Sequence, residues 1–444
     1  MVSSRSYQRE RGSTGKAVRG PRLAVIDGLR LLAALAVAFY HYTVAWRIDG
    51  VRTPEYYLPQ TVHWSVYGFL GVEVFFLISG FVICMSGWGR GLGDFFVSRA
   101  SRLYPAYWAA VLLTAAVAVL VPTTTPPPGF GAVLTNLTML QQPLGVPDID
   151  SVYWTLFVEL RFYLIMAVVL HWGLTYRRAV ILCAGWLTAA VIVPSLGIPA
   201  LNLLLITDYA PYFIGGIALY LIHRFGPSPL LYGVTGMALL VCLSRVHNRI
   251  AMMRPGFPMS DWPGIAIITA GFAALLLIAL GRTDRIAWRW LTVAGALTYP
   301  FYLLHMRIGQ TAMRAAFQHT TAPMWSLVLV TMLGMLVVAW CVHRYVERPL
   351  TTVVRAALRR GIAATAVAES ARPAPAREPA LVRHPAEQGR PAEWSSADGQ
   401  GSAATPPPAR AEGAAGGHQR RRAATRESLT PRLRQHTPKN SQRP

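Results

Sequence analysis

Apolar residues run through this chain in blocks of about 17 to 25, the length a helix needs to cross a hydrocarbon layer. Such blocks lie near residues 29–47, 66–87, 105–121, 153–172, 179–194, 209–223, 229–244, 263–281, 294–316 and 324–346. The pattern predicts an all-α fold, a polytopic membrane bundle of about ten transmembrane helices. The blocks at 209–223 and 229–244 are among the shorter ones, and the apolar stretch 198–206 reads as a re-entrant piece or an extension of a neighbour. The first run, from Leu23 to Trp46, is too long for a signal-peptide core and more spans follow it, so it is expected to stay as the first span.

Composition agrees: 53% of residues are apolar and 14% charged, a membrane balance. A net charge of +22 would ordinarily raise nucleic acid as a partner. Here the basic residues sit in the first thirty positions, the loops and the tail, so no nucleic-acid partner is expected and the charge reads as a topology signal. Arg90, Arg99 and Arg102, then Arg177 and Arg178, Arg224, and Arg282, Arg285 and Arg289 fall after alternate spans, on one side. That side, shared with the basic N-terminus and with Arg355, Arg359 and Arg360, is expected to be the cytoplasm. The loop from Val121 to Val152 has no lysine or arginine, whereas Arg245, Arg249 and Arg254 break the rule, as a functional loop or a misplaced span would. Lysine occurs only at Lys16 and Lys439 amid abundant Arg, Ala, Pro and Gly. This bias points to a GC-rich bacterial source and hence to a bacterial cytoplasmic membrane.

Three regions follow: a basic cytoplasmic segment 1–22, a transmembrane domain 23–350, and an Ala/Pro/Arg-rich tail 351–444 expected to be disordered and cytoplasmic. "YVERPL", with Glu347 and Arg348 before Pro349, reads as a helix stop. Cys84, Cys183, Cys242 and Cys341 lie far apart in apolar runs and read as buried small hydrophobes. No metal site or bound cofactor is expected.

The polar interruptions carry the chemistry. In "DGLRLLAALAVAFYHY", Arg30 and His41 are eleven residues apart, which brings them to within roughly 20° on one helix face and about 16 Å apart in depth. Arg30 would lie at the cytoplasmic interface and His41 near mid-membrane, along a polar shaft; a snorkelling anchor explains Arg30 alone equally well. Glu73 is the only charge in "GFLGVEVFFLISGF". It needs a cation, a proton or a hydrogen-bond network, and either pairs with an arginine or orients His41. Gly71, Ser79 and Gly80 beside it allow close helix approach. Arg99 and Arg102 in "SRASRLYPAYW" are neighbours on a helix. They read as positive-inside charge or as a forked clamp for a phosphorylated ligand. Glu159 and Arg161 occupy one apolar helix, with Glu159 and Tyr163 on one face and Arg161 about 200° away from Glu159, so both call for partners on other spans. "GALTYPFYLLHMRIG" adds Tyr299, Tyr302 and His305; a structural role is the first reading of His305.

Taken together, Arg30-x10-His41, Gly71-Val-Glu-x-Phe-Phe-x-x-Ser-Gly-Phe81, Arg99-x-x-Arg102 with "LYPAYW", Trp154-Thr-Leu-x-Val-Glu159 and Tyr299 to His305 resemble the acyltransferase 3 family over about residues 20 to 350. Glu73 stands where many members have aspartate and Thr155 where many have serine. The resemblance implies a membrane-bound O-acyltransferase that takes an acyl group, often acetyl, from cytosolic acyl-CoA. The acceptor would be a hydroxyl on a sugar of a cell-surface glycan, glycolipid or glycosylated metabolite such as a macrolide. His41 would be the catalytic residue.

On this reading Arg30, Arg99 and Arg102 hold the CoA phosphates, and Glu73 or Glu159 holds the tautomer of His41 as general base. Tyr163, Tyr299 and His305 line the site. On sequence alone, an acyl group carried by His41 itself fits equally well. The partners are acyl-CoA as co-substrate, a sugar-bearing acceptor and the bilayer; nothing in the sequence fixes an oligomeric state. A transporter or flippase for a glycosylated lipid or metabolite is the alternative, and a non-catalytic envelope partner working through its tail is a third.

Overall fold

The computed structural model describes residues 23–121, 126–253 and 259–370. The basic segment 1–22, Arg254 and the tail beyond 370 lie outside the described residues. Every regular element among those described is helical. The chain opens with α1 (Ala24–Thr43), then α2 (Val62–Ser65), a 3-10 turn (Val66–Leu70), α3 (Gly71–Gly87), α4 (Leu92–Leu120), α5 (Phe130–Leu137) and α6 (Trp154–His171). It continues through α7 (Tyr176–Ile192), α8 (Pro199–Leu205), α9 (Ala210–Phe225), α10 (Pro229–Ser244), α11 (Val246–Met253) and α12 (Trp262–Ala279). The last helices are α13 (Arg289–Leu304), α14 (Arg307–His319), α15 (Met324–Val342) and α16 (Arg348–Ser370).

Among the described residues, nine helical stretches are long and apolar enough to cross a membrane; α13, at 16 residues, is shorter than such a span. The protein is a multi-pass membrane protein. Its apolar surface is turned outward on several helices, as at Leu112, Val119, Ile181, Leu240, Val330 and Val337, where lipid replaces a protein partner. By contrast, α9 is enclosed, with every residue from Ala210 to Ile222 buried, as expected of a helix apolar on all faces at the centre of a bundle. It crosses α3 backbone to backbone: a Cβ on Gly216 would sit 2.0 Å from the Leu77 carbonyl oxygen, and one on Gly80 2.1 Å from that of Phe213. Only glycine permits such an approach. Gly71 meets the Ala33 carbonyl of α1 in the same way.

Four boundaries differ from the sequence reading. First, α1 runs from 24 to 43 rather than 29–47, so His41 lies in its last turn and not at its middle. Second, the block 294–316 is broken at His305–Met306 into α13 and α14. The Arg307 amide donates to Asp150 Oδ2 at 2.9 Å, and the Tyr42 hydroxyl donates to the His305 carbonyl at 2.7 Å. Side chains thus replace the ladder there, and an acidic group caps the new N-terminus.

Third, "YVERPL" is not a stop. A π-turn (His343–Glu347) carries the chain from α15 into α16, with Pro349 in the first turn of the new helix, where its missing N–H costs nothing. Fourth, residues 351–370, assigned in the sequence to a disordered tail, are helical and pack on α4. The segment 198–206 is the short helix α8, leading into α9.

Candidate active site

At the end of the bundle where α1 begins, a cavity of about 700 Å³ is lined by Arg30, Arg99, Arg102, Arg344, Arg348 and Arg355. Six arginines there face two carboxylates, Asp27 and Glu159. Arg99 and Arg102 project from one face of α4, and Arg30 from α1; the π-turn and α16 supply the rest. Arg102 Nη1 donates to Glu347 Oε1 at 3.3 Å, and the other oxygen of Glu347 meets His343 Nδ1 at 2.8 Å. The Nε of Arg99 is buried and finds no hydrogen-bond partner among the described residues. Cationic donors in excess, some unsatisfied, make a site for an anion with several charged oxygens.

A narrower cavity of about 50 Å³ shares Arg30, Ser79, Glu159 and Tyr299 with the first and leads inward past Phe75, Phe76 and Thr155 to Tyr302. Glu159 Oε1 accepts from Tyr163 at 2.8 Å and from Ser79 at 3.2 Å. Tyr299 is tied to α4 through the Leu103 carbonyl at 3.1 Å, and the Thr155 and Tyr302 hydroxyls lie 3.1 Å apart. Arg161 points elsewhere and donates to the Leu203 carbonyl and, at 3.3 Å, to that of Phe157. The two charges of α6 thus find separate partners, as the helical phase requires.

The ring of Tyr302 stands 5.5 Å from that of His305, and His305 Nε2 lies 2.9 Å from Nδ1 of His41. This contact orders the protons. His305 Nδ1 is 2.7 Å from the Tyr302 carbonyl, which can only accept, so Nδ1 carries the hydrogen. In the neutral pair Nε2 of His305 is then an acceptor, Nδ1 of His41 donates to it, and Nε2 of His41 keeps its lone pair. His305 is fully buried whereas His41 is only half-buried, so His41 is the more accessible ring of the pair.

Glu73 lies against Arg249 and not against His41. Its Oε1 accepts from Arg249 Nε at 2.7 Å, and Arg249 lies within 5.2 to 6.0 Å of the ring centres of Tyr209, Trp154 and Phe69. Glu73 faces away from both cavities above, because α3 turns that side to α9 and α11. Its partner accounts for one of the arginines that break the charge rule. Arg245 is the second, donating to the Thr207 and Ala190 carbonyls at 2.6 and 2.5 Å; both guanidinium groups are half-buried and bonded to other elements of the fold.

The arrangement therefore unites Arg30, Arg99, Arg102, Glu159, Tyr163 and Tyr299 in one connected space, joins His41 to His305 beyond it, and leaves Glu73 outside. Sequence reasoning missed Arg344, Arg348 and Arg355. Arg348 and Arg355 are seven residues apart, two turns on one face, a signal hidden by the apparent stop at Pro349.

A family model described as an acyltransferase domain matches residues 23–344. Acyltransferase MdmB of Streptomyces mycarofaciens is 28% identical over 377 residues, covering 74% of this chain and 91% of its own. The exopolysaccharide production protein ExoZ of Rhizobium meliloti is 27% identical over 268 residues, covering 55% of this chain and 78% of its own. Peptidoglycan O-acetyltransferase OatA of Listeria monocytogenes is 30% identical over 95 residues, covering 20% of this chain and 12% of its own. No solved structure matches.

Proposed function

The chain belongs to the acyltransferase 3 family and is an enzyme that moves acyl groups other than aminoacyl groups, and from that premise we propose that it transfers an acyl group, acetyl in the simplest case, from cytosolic acyl-CoA to a sugar hydroxyl. The acceptor stands on the far side of a bacterial cytoplasmic membrane, and both termini are cytoplasmic. One observation supports the reading: an arginine-rich cavity shares four lining residues with a narrow space that reaches Tyr302, whose ring stands 5.5 Å from one member of a histidine pair whose proton order leaves a free lone pair.

The CoA phosphates are held by Arg99, Arg102 and Arg30, and the pantetheine arm runs inward past Glu159 and Tyr299. Nε2 of His41 takes the proton of the acceptor hydroxyl as its oxygen bonds to the thioester carbonyl carbon. The carbon–sulfur bond then breaks, and Nε2 returns the proton to the CoA thiolate. His305 does not touch the reactants; it is a positioning residue that holds the His41 ring and tautomer. The names of two relatives concern exopolysaccharide and peptidoglycan, which supports a surface glycan as acceptor. A glycolipid or a glycosylated metabolite offers the same hydroxyl chemistry.

Acetyl-CoA binding and turnover by purified protein test this. His41→Ala is expected to bind acetyl-CoA and turn nothing over while unfolding at the wild-type temperature. Arg99→Ala/Arg102→Ala loses binding by about ten- to a hundredfold. His305→Gln lowers kcat and leaves KM for acetyl-CoA unchanged. Wild-type turnover by His41→Ala would sink the mechanism. Failure of every acyl-CoA to bind, with movement of a glycosylated substrate instead, would replace transfer by transport. Quenched single turnovers that leave His41 unmodified support direct transfer over an acyl-histidine.

A further inference from the structure

Beside the large cavity lies a second one, of about 390 Å³, lined by Arg90, Asp94, Val97, Ser98, Arg355 and Arg359. It shares Ser98 and Arg355 with the first, so the two adjoin. Its basic wall is α16. Arg348, Arg355 and Arg359 follow one another at intervals of seven and four residues, which puts them on one helix face.

That face is docked on α4 at two points. Arg355 Nε donates to Ser101 Oγ at 3.5 Å, and Ile362 lies over Gly93, where an added Cβ would come within 3.6 Å of its Cδ1. Arg359 lies between these anchors and lines the small cavity together with Arg90. Three arginines and one carboxylate give the small cavity a net cationic lining. Arg355 and Arg359 also lie beyond residue 344, where the family match ends, so this wall is supplied by a part of the chain outside the matched domain.

We propose that Arg90, Arg355 and Arg359 form a separate phosphate subsite that takes the 3′-phosphate of the CoA ribose while Arg99 and Arg102 hold the pyrophosphate. This rests on acyl-CoA as the donor. A CoA molecule carries its anionic groups in two places, a pyrophosphate and a phosphate monoester on the ribose, and the cavity pair offers two cationic regions joined by a common wall. A phosphomonoester bears up to two negative charges and three acceptor oxygens, which suits guanidinium groups from two facing helices. The same chemistry would also hold a lipid phosphate at the membrane surface, so the experiment has to separate the two.

The test compares CoA with dephospho-CoA, which lacks only that phosphate, on the full chain in nanodiscs of zwitterionic lipid and again with phosphatidylglycerol added. Wild type is expected to bind CoA more tightly by about ten- to a hundredfold, the worth of hydrogen bonds to a charged group. Arg90→Ala/Arg359→Ala should bind the two nucleotides equally, with its affinity for dephospho-CoA unchanged. Arg99→Ala/Arg102→Ala should weaken both and keep the ratio.

Equal binding of the two by wild type, or a ratio that survives in Arg90→Ala/Arg359→Ala, overturns the subsite and leaves the donor assignment standing. Failure of both nucleotides to bind wild type overturns the donor assignment itself, and the subsite with it. A preference for CoA that vanishes once phosphatidylglycerol is present, with the arginine variant losing only its response to that lipid, assigns the cluster to the headgroup and likewise overturns the proposal.

Discussion

Glu73 in α3 and Glu159 in the neighbouring α6 are both carboxylates within apolar helices, and their surroundings differ in kind. Glu73 is almost wholly buried against the Arg249 guanidinium, itself ringed by Phe69, Trp154 and Tyr209. Glu159 is met by the Ser79 and Tyr163 hydroxyls and forms part of the wall of both connected cavities. A carboxylate with a buried cation beside it holds elements in place, because removing either partner strands the other charge. A carboxylate held by hydroxyls at the edge of empty space is available to something that enters. Glu73 is thus paired with a cation inside the bundle and Glu159 lines the arginine-rich cavity, a distinction neither residue's local sequence makes.

The sharpest way to break it is at Glu73. Glu73→Ala or Arg249→Ala should each cost about 3–5 kcal/mol, the usual price of an uncompensated buried charge, read as a fall in unfolding temperature in detergent. Glu73→Leu/Arg249→Leu should recover much of that loss; single variants as stable as wild type would show the pair to be idle.

Glu159→Gln is the next step. It preserves an acceptor for Tyr163 and Ser79, so stability should change by less than about 1 kcal/mol, while acetyl-CoA turnover falls. A variant that unfolds early would move Glu159 into the framework.

Asp150 offers a third and milder case. It accepts from the amides of Val152 and Arg307, and burial pushes its pKa up to about 6, the amide hydrogen bonds opposing the shift. In the unfolded chain it titrates near the usual carboxylate value of about 4. Between these values the folded state holds the extra proton, so this group's contribution to stability is greatest at the acid end and is lost as pH rises toward 6. Unfolding measured from pH 4 to 7 should show that slope in wild type and lack it in Asp150→Asn. An unchanged slope in the variant would put the effect elsewhere.

The bundle was legible because lipid imposes length and apolarity on each span, and Arg30, Arg99, Arg102 and Glu159 stood out as charges on such helices. All four line one cavity. The partner of His41 was not legible. His305 is 264 positions away, and the break that presents it is made by Tyr42 and Asp150 rather than by any proline or glycine at that point. Arg249 was visible only as an exception to the charge rule. Its destination depends on where α10 and α12 hold α11, and no local periodicity records that. The helicity of 351–370 was hidden for a compositional reason: alanine and arginine favour a helix, but they resemble the tail that follows.

The π-turn His343–Glu347 sets the phase of everything after it. It spends one residue more than an α-turn would over the same stretch, and each residue turns a helix by about 100°. An uninterrupted helix would have carried Arg348 and Arg355 round by that angle, away from the cavity they now line. The whole basic stripe of α16 therefore owes its aim to a single surplus amino acid, an index mark in a turn that straddles the last residue the family model reaches.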